Sequence, residues 1–187
     1  MNDVFWVFGY GSLMWDPGFG PVETVKARLE GYSRSFCLRS TRYRGTEEAP
    51  GLVLGLDAEP GASCAGLALR IPEDRHAETL AYLRERELDT GAYDEMVLPL
   101  TLQDGRRVQA LAYVMKRDHW QYAGGLCVRE QARIIAGAEG GRGPNADYLF
   151  NTARHLAEIG LADAALDQLS DDVRRLLMAR RDRDAAT

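Results

Sequence analysis

The chain has 187 residues, of which 45% are hydrophobic and 27% are charged, a balance typical of a globular protein with a full core. Its formal net charge of −5 gives no electrostatic support for nucleic-acid binding, and no apolar run is long enough to cross a membrane. The three widely spaced cysteines argue against a disulfide framework or a zinc site. We therefore expect a cytoplasmic protein with no metal, no nucleic-acid partner and no membrane contact.

The first half of the chain carries short apolar runs separated by turn residues, which is typical of β-strands. Glu59-Pro60-Gly61 predicts a turn within this half, and Glu30-Gly31 separates two predicted strands that pair or follow one another. The runs between the turns predict strands over residues 4–8, 25–29, 32–38, 51–56 and 65–71.

The pattern then changes to helical spacing. Pro72 and the acidic residues after it favour a helix start, and the apolar stripe that follows predicts a helix that ends at Glu87, before Gly91. Asp104-Gly105 predicts a hairpin turn that joins two further strands, over residues 96–102 and 108–115.

The last third of the chain is predicted to be helical. Helices are expected over residues 128–136, 145–159 and 162–181, and the glycine-rich segment 137–144 predicts a loop that is a candidate mobile element. Since no repeat or linker divides the chain, we predict one domain over residues 1–187, with a core over about 4–159. Strands followed by helices favour the α+β class.

A glycine-punctuated loop follows the first predicted strand. Gly9 and Gly11 flank Tyr10, and Ser12 and Leu13 come next. Such a loop can turn its backbone N–H groups toward a bound anion or a developing oxyanion. An isolated Gly-x-Gly is more often an ordinary turn between strands, so the pattern alone leaves both interpretations open.

The helix predicted before Gly91 ends in Arg84-Glu85-Arg86-Glu87, a run that is usually a solvated face. Glu87, however, stands where the helix breaks into a loop, and a loop can turn this carboxylate inward. Burial would raise its pKa toward the range that suits proton transfer near neutral pH. Four tyrosines recur beside the same turns, although each alone is typical of a core aromatic residue: Tyr10, Tyr93, Tyr113 and Tyr148.

Four blocks of the chain, in this order, resemble the ChaC-type γ-glutamylcyclotransferase family. The first contains the Tyr-Gly-Ser-Leu loop, the third contains Glu87, and the set is more specific than any one block. The blocks lie within residues 7–15, 32–45, 82–93 and 145–149.

The resemblance implies a small mixed β-barrel surrounded by helices. It also implies cleavage of a γ-glutamyl amide, glutathione in ChaC-type members, to 5-oxoproline and the released amine, with no cofactor. The α-amine of the substrate attacks its own γ-carbonyl carbon, and Glu87 corresponds to the general acid and base of the family. The substrate loop of the family corresponds to Tyr10, Gly11, Ser12 and Leu13.

Further substrate contacts are implied for tyrosines that would line the pocket, namely Tyr93, Tyr113 and Tyr148. Arg44 is expected to face the carboxylate at the glycine end of glutathione, an assignment that rests on charge matching. Surface ion pairing is the alternative for Arg44, and Glu47 and Glu48 add negative charge nearby.

Other functions remain open at this stage. One alternative keeps the same chemistry with γ-glutamyl amino acids or γ-glutamylamines as substrates. A further alternative is a non-catalytic protein that binds a γ-glutamyl metabolite or a protein partner. A hydrolase with Ser12 as nucleophile is less favoured, because Ser12 has no evident histidine partner. The expected partner is a small-molecule substrate, and the sequence defines no oligomeric state.

Overall fold

A computed structural model describes residues 5–185 of the chain. Within this range there are seven strands and four α-helices, with short 3₁₀ helices at Ser12–Met14 and Glu73–Arg75. The strands are β1 (Trp6–Gly9), β2 (Glu23–Ser40), β3 (Gly51–Arg70), β4 (Tyr93–Leu102), β5 (Arg107–Met115), β6 (Glu139–Gly140) and β7 (Gly143–Pro144). The helices are α1 (His76–Glu87), α2 (Val128–Gly137), α3 (Asn145–Glu158) and α4 (Ala164–Ala185).

Five strands form a closed barrel in the order β1-β3-β2-β4-β5. β1 runs antiparallel to β3 and parallel to β5, where Trp6 pairs with Ala110, and this parallel pairing closes the barrel. Closure leaves no barrel edge without a partner strand. The predicted α+β class, with a mixed barrel and helices, is confirmed.

The barrel interior combines bulky and small side chains. Phe8 of β1 is fully buried in one cluster with Ala68 and Ala110, which suits the limited space inside a small barrel. A Cβ atom on Gly66 would lie only 2.3 Å from the carbonyl oxygen of Gly9. Glycine at this position therefore lets β3 pass close to the end of β1, where the Tyr-Gly-Ser-Leu loop begins.

The chain divides into two compact units. The first comprises the residues up to Ser35 together with Gly55–Tyr122, and it contains β1, α1, β4 and β5. The second comprises Phe36–Leu54 and the residues from Ala123 onward, and it contains α2, α3 and α4. The single domain over residues 1–187 stays a prediction.

One predicted turn and one predicted break between strands are wrong. The chain does not turn at Glu30-Gly31, because β2 continues through it, and β3 likewise continues through Pro60 and Gly61. Gly31 has φ of 81° and Gly61 has φ of 87°. A glycine at positive φ can be accommodated within a strand as an irregularity of the ladder, so the residue that indicated a turn does not end either strand.

The other predicted elements are confirmed, with small changes at their ends. The hairpin of β4 and β5 turns at Gly105, which has φ of 90°. The first predicted strand begins at Trp6, and Val4 lies outside the described residues. None of the helices described between residues 5 and 185 is both long and apolar enough to span a membrane.

The predicted loop over 137–144 instead contains a short hairpin, β6–β7. The N–H groups of Gly141 and Arg142 donate to the carbonyl oxygens of Arg42 and Tyr43, each at 2.9 Å. These bonds give the glycine-rich segment defined backbone partners. Its mobility stays a prediction.

Asn145 fixes the start of α3 against the start of β3. Its Oδ1 accepts from the N–H of Leu52 and its Nδ2 donates to the carbonyl of Leu52, both at 2.7 Å, and the side chain is fully buried. This amide pair satisfies both backbone polar groups of one strand residue.

We expect Asn145→Ala to lower the free energy of unfolding by about 2–5 kcal/mol, because it leaves two buried backbone groups without partners. Asn151→Ala, at an exposed position of the same helix, should change it by less than about 0.5 kcal/mol. Urea unfolding of the two variants checks this difference, and equal effects would contradict the bracing role of Asn145.

Candidate active site

The loop after β1 forms a tight backbone turn. The N–H of Met14 donates to the carbonyl of Gly11 at 2.9 Å, and the N–H of Asp16 donates to the carbonyl of Ser12 at 2.8 Å. The first N–H groups of a helical turn have no partner within the turn. Among the hydrogen bonds of the described residues, none uses the N–H of Gly11, Ser12 or Leu13, so these three donors can serve a ligand.

Tyr10 is held from two other strands of the barrel. Its hydroxyl donates to the carbonyl of Tyr113 in β5 at 3.0 Å. Its own carbonyl accepts from Nη1 of Arg34 in β2 at 3.0 Å, and the same Nη1 donates to the carbonyl of Ala65 in β3. The start of the loop is therefore positioned by contacts with residues far away in the sequence.

Glu87 is the last residue of α1, and its side chain is turned inward as predicted, with only 16% of it exposed. Burial raises the pKa of this carboxyl above its ordinary value of 4.5, and the charge of Arg86 acts in the opposite direction. Such a shift is in the direction that favours proton transfer by a carboxyl group at higher pH.

Arg86 connects Glu87 to the loop. Its Nε lies 3.1 Å from Oε1 of Glu87, and its Nη2 donates to Oγ of Ser12 at 3.0 Å. Its Nη1 donates to the carbonyl of Asp16 at 2.7 Å. Sequence reasoning gave Arg86 no role, because alternating arginine and glutamate at a helix end is typical of a solvated face.

Tyr113, in β5, lies close enough to Glu87 for the charge of Glu87 to act on its hydroxyl. Burial, and then the negative charges of Glu95 and Glu87, raise the pKa of Tyr113 well above its usual range. The phenol therefore stays protonated, and it donates to Oε2 of Glu95 at 3.4 Å. Glu95 is held by a forked contact with Arg84, at 2.8 to 3.1 Å. Sequence reasoning did not identify this supporting pair.

Tyr93 also belongs to the first unit. It is the first residue of β4, is half-buried, and pairs with Met115 of β5. The structure thus brings together the loop, Glu87 and Tyr113 through shared contacts, and it places Tyr93 on the same hairpin as Tyr113.

Arg44 and Tyr148 lie in the second unit, where they contact each other. The guanidinium carbon of Arg44 is 5.7 Å from the centre of the Tyr148 ring, and its Nη1 donates to the carbonyl of Pro144 at 3.1 Å. The Tyr148 hydroxyl accepts from the N–H of Leu54 at 3.4 Å, and its ring packs edge-on against Phe36. These contacts of Arg44 are with an aromatic ring and a carbonyl group, and its part in substrate binding stays a prediction.

The hydrolase alternative loses support at Ser12. Its Oγ accepts a hydrogen bond from Arg86, and a guanidinium cannot take a proton from a serine hydroxyl. Among the residues that the structure describes, no group of three or more His, Cys, Asp or Glu side chains is arranged to hold a metal ion.

A family model described as "ChaC-like protein" matches residues 5–176. This chain belongs to the ChaC-like family. The glutathione-specific γ-glutamylcyclotransferase of Escherichia coli (strain K12) is 40% identical over 172 residues, which are 92% of this chain and 74% of that protein. γ-Glutamylcyclotransferase 2-3 of Arabidopsis thaliana is 34% identical over 178 residues, 92% of this chain and 89% of that one. The family and enzyme class predicted from the sequence are confirmed.

The fold of this ChaC-like chain also resembles a solved structure. The crystal structure of a glutathione-specific γ-glutamyl cyclotransferase from yeast gives a TM-score of 0.82 at 24% identity, covering 93% of this chain and 97% of that one. At this identity the likeness shows the fold, and it supports the barrel with helices described above.

The raised pKa of Glu87 predicts a pH-dependent cost to stability. Below the ordinary value of 4.5, the carboxyl is protonated in both folded and unfolded chains and burial costs little. As the pH rises through 4.5 and on through the folded-state pKa, the unfolded chain releases its proton first and the folded state loses stability. Glu87→Gln should therefore be more stable than the wild type at pH 7.

Urea unfolding at pH 4 and pH 7 checks this expectation. The advantage of Glu87→Gln should shrink toward pH 4, whereas Glu85→Gln, an exposed position on the same helix, should show little change. An equal or lower stability of Glu87→Gln at pH 7 would contradict the burial argument.

Proposed function

We propose that this protein cleaves glutathione to 5-oxoproline and cysteinylglycine, with Glu87 as general base and then general acid. The observation that carries the proposal is a buried carboxylate of raised pKa, tied by Arg86 to a loop with available backbone donors. The relatives named above as glutathione-specific cyclotransferases support glutathione as the substrate.

The reaction is an internal transfer of the γ-glutamyl group. A free α-amine is largely protonated near pH 7 and must lose a proton before it can attack. Glu87 takes that proton, the amine nitrogen bonds to the γ-carbonyl carbon, and the bond from this carbon to the cysteine nitrogen breaks. Glu87 then gives this proton to the departing nitrogen, takes the second proton that the new ring nitrogen must lose, and passes it to the released amine, which leaves as an ammonium. No water is consumed, and the atoms and charges balance.

The loop supplies donors for the oxygen of the reacting carbonyl. As the amine attacks, negative charge develops on this oxygen, and N–H groups fixed in advance stabilise it without reorganisation. The N–H groups of Gly11, Ser12 and Leu13 are proposed for this role and for holding the γ-glutamyl group. The hydrogen bonds of Tyr10 with Tyr113 and Arg34 support the proposal, because they fix the start of the loop before substrate binds.

Tyrosines of the first unit are proposed to orient the substrate. Tyr113 stays protonated beside Glu87, so that its hydroxyl can donate to a substrate carboxylate or carbonyl. Tyr93 is proposed as a second lining residue. Substrate contacts of Arg44 and Tyr148 are also proposals, supported by the suitability of a guanidinium for binding a carboxylate. A small-molecule substrate and a cytoplasmic location complete the proposal.

Loss of the base should remove turnover and spare the fold. Glu87→Gln is expected to lower kcat for release of 5-oxoproline from glutathione by at least about 100-fold, the usual contribution of a positioned acid or base. Glu85→Gln, the matched change on the exposed face of α1, should stay within about twofold of the wild type. Chromatographic detection of 5-oxoproline measures both, and a Glu87→Gln enzyme of wild-type activity would contradict the assignment.

A panel of substrates separates the alternatives. Turnover of γ-glutamyl amino acids or γ-glutamylamines in preference to glutathione would keep the mechanism and change the substrate. Calorimetric binding of a γ-glutamyl compound with no turnover of any of them would favour a binding protein. We expect glutathione to give the highest kcat/KM of the panel.

A further inference from the structure

Arg86 and Glu87 are consecutive residues of α1, yet their charged groups meet, with 3.1 Å between Nε and Oε1. Successive residues of a helix point about 100° apart and do not ordinarily face each other. The contact occurs at the end of the helix, since α1 stops at Glu87 and the chain continues through Leu88. The length of the arginine side chain nevertheless lets its Nε reach the neighbouring carboxylate.

All three nitrogens of the Arg86 guanidinium have partners. Besides Glu87, Nη2 donates to Oγ of Ser12, and Nη1 donates to the carbonyl of Asp16 and to the hydroxyl of Tyr82. A planar guanidinium can donate in several fixed directions at once, which an ammonium on a flexible stem cannot reproduce. The side chain is only 23% exposed, so these contacts are partly shielded from water.

We propose that Arg86 is a positioning residue, whose guanidinium holds the Glu87 carboxylate against the loop Ser12–Asp16 and compensates its buried charge. The inference rests on the proposed function of Glu87. It assigns to one side chain both the orientation of the base and the coupling of the base to the substrate loop.

The charges around Glu87 support this assignment. On its own helix, Arg86 is in contact with it and opposes the rise in pKa that burial causes. From β5, Tyr113 faces it as a protonated phenol, and Glu95 of β4, paired with Arg84, acts on that phenol. Among these groups of the described chain, Arg86 supplies the positive charge that contacts the Glu87 carboxylate.

A base must be ionised before it can accept a proton. Without Arg86, burial would leave more of Glu87 protonated at a given pH, and a protonated carboxyl cannot deprotonate the substrate amine. Without the hydrogen bonds of the guanidinium, nothing in this group would hold the loop and the carboxylate in a fixed relation. Errors in the position of a catalytic group lower turnover. The two effects are separable, because one depends on charge and the other on geometry.

Three variants separate charge from geometry. Arg86→Met removes both the positive charge and the guanidinium donors but keeps most of the apolar stem. Arg86→Lys keeps the positive charge and removes the planar set of guanidinium donors. Arg75→Met is the matched control, because Arg75 lies just before α1, is 55% exposed and pairs with the exposed Glu78. The readouts are the titration of the Glu87 carboxyl by ¹³C NMR, assigned with Glu87→Gln, and the pH profile of kcat/KM with glutathione.

In Arg86→Met we expect Glu87 to titrate at higher pH than in the wild type and kcat/KM on the acidic limb to fall by about tenfold or more. In Arg86→Lys we expect the acidic limb to stay in place while KM rises about tenfold, through lost hydrogen bonds to the loop. Arg75→Met should match the wild type in both readouts.

Unchanged titration of Glu87 in Arg86→Met, or the same change in Arg75→Met, would overturn the proposal. If Arg86→Met does not fold, Arg86→Lys still decides the geometric claim, which a wild-type KM and kcat would refute. The NMR titration requires no turnover. A wild type that leaves glutathione intact would therefore refute the proposed function while the inference about Arg86 is still tested.

Discussion

Burying a carboxylate costs free energy of hydration, which nearby positive charge and hydrogen bonds must offset. In this chain the positive charge comes from Arg86, which pairs with Glu87 at the end of α1. The last residue of a helix also faces the negative end of the helix dipole, which adds to the cost of a charge there. One arginine offsets part of this cost and binds the neighbouring loop at the same time. The remaining cost appears as the raised pKa of Glu87, a shift that fits the proton transfer proposed for it.

The barrel provides the geometry in which this pair can act. Parallel pairing of β1 with β5 fixes the strand that leads into the loop, and Arg34 and Tyr113 hold Tyr10 at its beginning. The close passage of β3 at Gly66 belongs to the same region. In the proposed internal cyclisation, much of the catalytic gain would come from holding the amine near the carbonyl, and a rigid support for the loop would serve this role.

Local sequence signals predicted the elements whose determinants are local. The Asp104-Gly105 turn, the helix that ends at Glu87 and the three C-terminal helices follow from turn chemistry and periodicity. The strand ends predicted at Gly31 and Gly61 were wrong, because a glycine at positive φ is compatible both with a turn and with an irregular position inside a long strand. Barrel pairing decides between the two, and pairing partners are distant in the sequence.

The candidate site divides in the same way. The inward turn of Glu87 was predictable from its place at a helix break, and the loop from its glycines. The roles of Arg86, Arg34 and the Arg84–Glu95 pair were not, because each depends on partners that the fold brings together. A periodicity of 3.6 residues even argues against the Arg86–Glu87 contact, because successive residues of a helix do not ordinarily face each other.

The most direct test of the central claim is the pH dependence of the residual activity of Glu87→Gln. If Glu87 deprotonates the substrate amine, the variant can use only amine that is already neutral, and its kcat/KM should rise about tenfold per pH unit below the pKa of the amine. The wild type should show a much flatter profile over the same range. A Glu87→Gln profile parallel to that of the wild type, merely lower, would show that Glu87 does not take this proton.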